Sequence, residues 1–103
     1  MKKKSSKLSK LERNRFSLFT DDLDTCIICK KQKNDINEIF RGRNRQNSMI
    51  YGLCIPLCRK CHTRITDNYE LESEWKIKGQ LKFQEYYNKT TEDFIEIFKR
   101  NYL

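Results

Sequence analysis

Histidine, glycine and proline are scarce in this chain: one histidine, three glycines and one proline in 103 residues. So few glycines leave no phosphate-cradling loop and no dinucleotide fingerprint. A lone histidine rules out the paired-histidine zinc sites of DNA-reading fingers, and no hydrolase triad is spelled out. No run of 18 apolar residues occurs, so no membrane span is expected. The opening MKKKSSKLSKLERNR has charge but no apolar stretch behind it, which does not read as a secretory signal. The expected location is therefore a reducing cytoplasm. Hydrophobic residues make up 37% of the chain and charged residues 35%, so the core is small and a staple is expected.

Cysteine supplies the staple. Cys26-x2-Cys29 and, 28 residues later, Cys58-x2-Cys61 form two tight pairs, and each pair can set two sulfurs on one metal ion. In a reducing compartment such pairs bind metal more often than they form disulfides. Four thiolates complete a tetrahedral zinc site with no open position for water, so the expected zinc is structural. Cys54 lies in an apolar run and reads as a core residue, with exchange for Cys58 as the alternative. His62 directly follows Cys61; its readings are a substitute ligand, a turn cap or part of a second site, with a structural role preferred.

The net charge of +8 is unevenly spread. Residues 1–15 hold seven basic side chains against Glu12 alone. The expected division is a basic arm over residues 1–20, with a short helix between Lys7 and Phe19, and a zinc-binding domain over residues 21–103. Lys2, Lys3 and Lys4 in the arm are candidate phosphate contacts, against a plain reading as a solubilising leader.

Along the domain, "INEIFRG" reads as a short strand ended by Gly42. "SMIYGLCIPLC" reads as a second, rich in β-compatible residues. Asp67 with Glu70 three residues on predicts a capped helix running to about Tyr87. Thr90 with Asp93 predicts another, with Phe94, Ile97 and Phe98 on one face. The fold class expected is α+β, two strands followed by helices.

With these segments in view, the chain resembles the small HNH-type proteins of bacteriophages and prophages, members of the ββα-metal nuclease fold. The resemblance runs from Cys26 to Leu103. "NEIFRGRNRQNS" stands where that family has a segment shaped "HHIFGG-NRK-S", with Ile39, Phe40, Gly42, Asn44, Arg45 and Ser48 in place. Tyr51, Gly52 and Leu53 follow as the family's "YG" and apolar strand, then Leu57, Cys58, Cys61 and His62 as its "LC--CH". Asp93, Phe94, Phe98, Arg100, Asn101, Tyr102 and Leu103 match its aromatic-rich close. The resemblance implies a phage-encoded protein acting in the cytoplasm of a bacterial host.

The departures fall on the chemistry. Active members carry a histidine base, which activates water, beside a residue that helps hold a divalent cation. Here that pair is Asn37 and Glu38, and the further metal-binding histidine expected a few residues past His62 is missing. Hydrolysis of a phosphodiester needs a base titrating near neutrality and a cation for the developing charge, and losing the base alone costs roughly 10²- to 10⁴-fold. The resemblance thus implies a catalytically degenerate domain. Its occupation would be binding nucleic acid through Arg41, Arg43 and Arg45, with Arg59, Lys60 and Arg64 nearby in sequence. A solvated turn is the plain reading of those arginines. Two alternatives stand: a weak or variant endonuclease using Asn37, Glu38 and His62 with Mg²⁺ or Mn²⁺, and a binder of a host defence or nuclease protein. Exposed Trp75, Tyr86 and Tyr87 would favour the protein partner; packed inward, they would favour nucleic acid.

Overall fold

The computed structural model describes residues 6–103. Lys2, Lys3 and Lys4 lie outside the described residues. Among those described, helix α1 (Ser6–Arg13) precedes a long loop and strand β1 (Asp35–Glu38). A 3-10 turn (Gly42–Asn44) leads into α2 (Arg45–Tyr51), β2 (Cys54–Leu57), α3 (Arg59–Thr66), α4 (Tyr69–Tyr86) and α5 (Thr91–Phe98). The two strands pair antiparallel, Asp35 opposite Leu57 and Glu38 opposite Cys54. The class is α+β as expected. No helix among the described residues is long and apolar enough to cross a membrane.

The core is built on phenylalanine. Phe40 follows β1, Phe83 comes from α4, and Phe94 and Phe98 from α5; all four are fully buried. Phe94 and Phe98 stack at 4.5 Å between ring centres, and Phe40 meets Phe98 at 4.9 Å. Such offset and edge contacts add to the area these rings bury. The partial match between Phe94 and Phe98 follows from their i,i+4 spacing on one helix face. Leu53, Ile55 and Leu57 extend the same core beneath the sheet.

Three expectations need correcting. The segment read as a second strand, Ser48–Cys58, is half helix: α2 runs to Tyr51 and only Cys54–Leu57 is strand. Gly52 ends α2 in the left-handed region (φ 75°), and the N–H groups of Gly52 and Leu53 both return to the Ser48 carbonyl. The helix brings buried Ser48 to the end of β1, where its hydroxyl donates to the Phe40 carbonyl (2.7 Å) and accepts from the Phe40 N–H (3.1 Å). A side chain thus takes over where the strand ladder stops, which tertiary context rather than local β-propensity decides. The strand expected over "INEIFRG" is correspondingly shorter and closes at Glu38. At the start of α4 the cap is Asn68, not Asp67: Asn68 Oδ1 accepts from the Leu71 N–H (3.1 Å). Asp67 is used to close α3, its N–H donating to the Thr63 carbonyl, because only two residues separate the helices.

Thr90 and Asp93 form the reciprocal cap that the sequence predicts, the Thr90 hydroxyl accepting from the Asp93 N–H and the Asp93 carboxylate from the Thr90 N–H. Residues 16–18 are tied to the body. Leu18 donates its N–H to the Gly52 carbonyl (2.9 Å), and the Phe16 ring covers Gly52.

That last contact separates two glycines that share a backbone conformation. A Cβ on Gly52 would lie within 3.0 Å of three Phe16 ring carbons, whereas one on Gly42 (φ 65°) would meet nothing within 4 Å. Gly42→Ala should cost about 1–2 kcal/mol, the left-handed penalty alone. Gly52→Ala should cost more in urea unfolding, and adding Phe16→Ala should bring the further cost of Gly52→Ala down toward that of Gly42→Ala. Equal costs for the two single variants would mean that Phe16 does not pack as described.

Candidate metal centre

The four paired cysteines converge. Cys26 and Cys29 sit on a knuckle turn in which the Lys30 N–H donates to the Cys26 carbonyl and the Cys26 N–H to the Lys31 carbonyl. Lys30 takes a left-handed conformation (φ 67°) to close it. Cys58 is the N-cap of α3 and Cys61 lies in that helix's first turn. The knuckle is fastened to β2 by the Ile27 N–H on the Pro56 carbonyl (2.9 Å) and the Asn34 N–H on the Leu57 carbonyl (2.9 Å). All four sulfurs lie within 4.8 Å of one another, with Cys29 and Cys58 at 3.5 Å. Sulfurs tetrahedrally arranged at 2.3 Å from one ion are about 3.8 Å apart, so the cluster can hold a metal with little adjustment.

The environment divides the thiols. Burial opposes ionisation of Cys26, but hydrogen bonding from the backbone of Cys29, Cys58 and Ile28 outweighs it and brings the thiol down to about 6. The backbone N–H of Cys61 likewise stabilises the Cys58 thiolate, as expected at a helix N-terminus, and lowers its titration. Cys61 is pushed up to about 12 by burial and by the neighbouring sulfurs. Sulfurs crowded this closely cannot all ionise without a cation among them, which is the electrostatic signature of a metal cluster. Cys54 is not in the group. Burial, then the Glu38 charge, drive its thiol up to about 12, and it faces the Ser48 carbonyl as a core residue.

The candidate catalytic residues do not converge. Neighbouring residues of a strand point to opposite faces. Glu38 turns inward, 9% exposed, and is gripped by Arg15 (2.7 Å) and Arg45 (3.4 Å), with Glu12 completing the group through Arg45 (3.0 Å). Asn37 looks the other way, into a small cleft with Ile65 and Thr66 of α3. His62 follows Cys61 on α3 and its N–H donates to the Cys58 carbonyl (2.9 Å), but its ring is not part of the cysteine group: Nδ1 lies 3.3 Å from Asp35, which Arg59 also approaches at 3.3 Å. This Asp35 contact, and the ion-pair network from Glu12 and Arg15, went unread in the sequence. Nothing local signalled either, since the partners lie 27 residues apart in the first and, for Arg15 and Glu38, 23 apart in the second.

Of the candidate phosphate-binding arginines, Arg41 is paired with Glu72 and Arg45 with Glu12 and Glu38. Burial resists ionisation of Glu72, but Arg41 and Lys76 outweigh it and hold its carboxyl low. Arg43 alone of the three is exposed with no carboxylate paired to it among the described residues. Comparison with known protein families, curated proteins and solved structures finds no match.

Metal loading should bind one ion per chain and, because Cys61 is protonated at neutral pH in the metal-free protein, release protons. Protons compete with the ion, so affinity should fall as pH falls. Native mass spectrometry and calorimetry in buffers of differing ionisation enthalpy check both points. Cys29→Ser should weaken binding at least tenfold and Cys54→Ser should leave it unchanged; a Cys54→Ser variant that loses the ion would place the site elsewhere.

Proposed function

We propose that this chain is a zinc-stapled, HNH-like domain of phage origin that has lost nuclease chemistry and acts by binding nucleic acid. Zinc is the ion that four tetrahedral thiolates and no open position suit best. The arrangement supports the HNH-like reading: two antiparallel strands, with the 3-10 turn and α2 between them, then helix α3, with the cysteine cluster at the strand–helix junction.

One observation carries the loss of chemistry. Glu38, the only candidate that could replace a histidine as base or hard ligand, is buried and neutralised between Arg15 and Arg45. Both arginines engage its Oε1, so a hydrated Mg²⁺ approaching this carboxylate would meet two guanidinium groups at short range. On the side of β1 that carries Asn37 and His62, Asp35 is engaged by Arg59, and Glu72, which lines the Asn37 cleft, by Arg41 and Lys76. Binding rather than cutting is then what remains for a protein of net charge +8. Trp75 and Tyr87 pack inward, against Phe19 and Tyr51, and only Tyr86 of the three aromatic candidates is exposed. That arrangement favours nucleic acid over a host protein as the partner.

A plasmid-nicking assay beside a DNA-binding assay tests the reading. Zinc-loaded protein should leave supercoiled plasmid intact in Mg²⁺ and in Mn²⁺, and should bind labelled DNA with an affinity that falls steeply with salt. Glu38→Ala should cost about 1.5–3 kcal/mol of stability, by removing the carboxylate that half-buried Arg15 and Arg45 share, and should change no cleavage rate. Nicking by the wild type that disappears in a folded Glu38→Ala variant would overturn the reading in favour of a variant endonuclease.

A further inference from the structure

The cations of this molecule are unequally partnered. Those near α2 and β1 are mostly spent on carboxylates: Arg15 and Arg45 on Glu38 and Glu12, Arg41 on Glu72. Around the cysteine knuckle the reverse holds. Lys31, Lys60 and Arg64 are exposed, and among the described residues no carboxylate pairs with any of them. Arg59 and Lys33 stand beside them, sharing only Asp35 and the almost fully exposed Asp24.

These side chains line two adjoining hollows. A groove of about 530 Å³ runs between Lys31–Asn34 and the start of α3 at Arg59 and Lys60. A second, of about 300 Å³, lies between Lys31, Lys60 and Arg64, and Lys31, Cys58 and Lys60 belong to both. The second hollow also contains Ile28, an apolar side chain 43% exposed at the tip of the knuckle. A volume of this size suits a nucleotide-sized group. A half-exposed apolar side chain that shares a hollow with three unpaired cations matches one ligand chemistry closely: a flat base beside a phosphodiester.

We propose that the knuckle and the first turns of α3 form a binding surface for single-stranded nucleic acid, with phosphates on Lys31, Lys60 and Arg64 and an unstacked base over Ile28. The proposal rests on the nucleic-acid reading above and moves its contact surface away from Arg41, Arg43 and Arg45. A duplex keeps its bases stacked inside and presents phosphates alone, so it gains from the cations but not from Ile28.

Fluorescence anisotropy on the zinc-loaded full chain, with a labelled oligothymidylate and a duplex of equal length, tests this. The triple variant Lys31→Glu/Lys60→Glu/Arg64→Glu should lose at least tenfold in affinity for the single strand. The milder triple variant with Gln at all three positions, checked for unchanged metal content, should lower the slope of log affinity against log salt by about 2. Ile28→Ser should weaken single-strand binding several-fold and leave duplex binding unchanged, and Lys89→Glu should alter neither. Undiminished binding by a folded Gln variant, or loss in Arg43→Glu alone, would overturn the surface while leaving the nucleic-acid reading intact. Tighter binding to duplex with indifference to Ile28→Ser would overturn the single-strand assignment. Failure of the wild type to bind either oligonucleotide would overturn the surface and the reading together.

Discussion

Four sulfurs from chain positions 26 to 61 must meet at one point, and nearly every other feature of the domain answers to that constraint. The knuckle can deliver Cys26 and Cys29 only if its turn closes through Lys30 in a left-handed conformation. Cys58 and Cys61 can answer only if a helix begins between them, since the N-cap position puts one sulfur beside the other's N–H. β2 ends where α3 begins, so the same junction fixes the hairpin, and through Asn34 and Asp35 it fixes the start of β1. Without an ion this crowd of thiols is electrostatically self-opposing, because each thiolate makes the next harder to form. A metal held among them would turn the opposition into cohesion and would link the stability of this half of the domain to the ion.

The other half is held differently. Phe40, Phe83, Phe94 and Phe98 bury large rings against one another, and fully buried Gln80 of α4 ties the close of the chain to them, donating to Asn101 Oδ1 and accepting from the Tyr102 N–H. The two halves meet at β1 and the residues just after it: Glu38 belongs to an ion-pair network, Ile39 and Phe40 to the aromatic core, and Asp35 to the edge of α3. The six residues 35–40 thus carry three unrelated jobs. This is also why Asn37 and Glu38, adjacent in sequence, end in different surroundings.

Sequence reading reached what is local or strictly spaced. The cysteine pairs announce their convergence by spacing, and Thr90 with Asp93 announces a helix start because the capping chemistry closes within three residues. The failures share one cause, competition from partners distant in the chain. Ser48–Tyr51 looked extended because isoleucine, methionine and tyrosine suit a strand, yet Ser48 is needed at Phe40, eight residues earlier, and a helix delivers it. Asp67 looked like a cap until the length of α3 claimed it. Glu38 looked available because its partner Arg15 lies 23 residues away, in a segment read only as charge.

That last case bears on how the candidate site should be understood. A carboxylate at position 38 could serve a cation only while its counter-charges stayed in solvent. Arg15 and Arg45 remove that freedom, and Glu12 balances the second of them, so the group is closed to neutrality and half sunk in the core beside Cys54. Opening it for a divalent ion would expose two guanidinium groups to a cation, which Coulomb repulsion disfavours at short range. Around the knuckle, by contrast, Lys31, Lys60 and Arg64 are exposed and share one hollow with no carboxylate paired to them among the described residues. Charge in these two regions is therefore sorted: balanced around Glu38, where the resemblance would put catalysis, unbalanced and exposed beside the cysteine cluster.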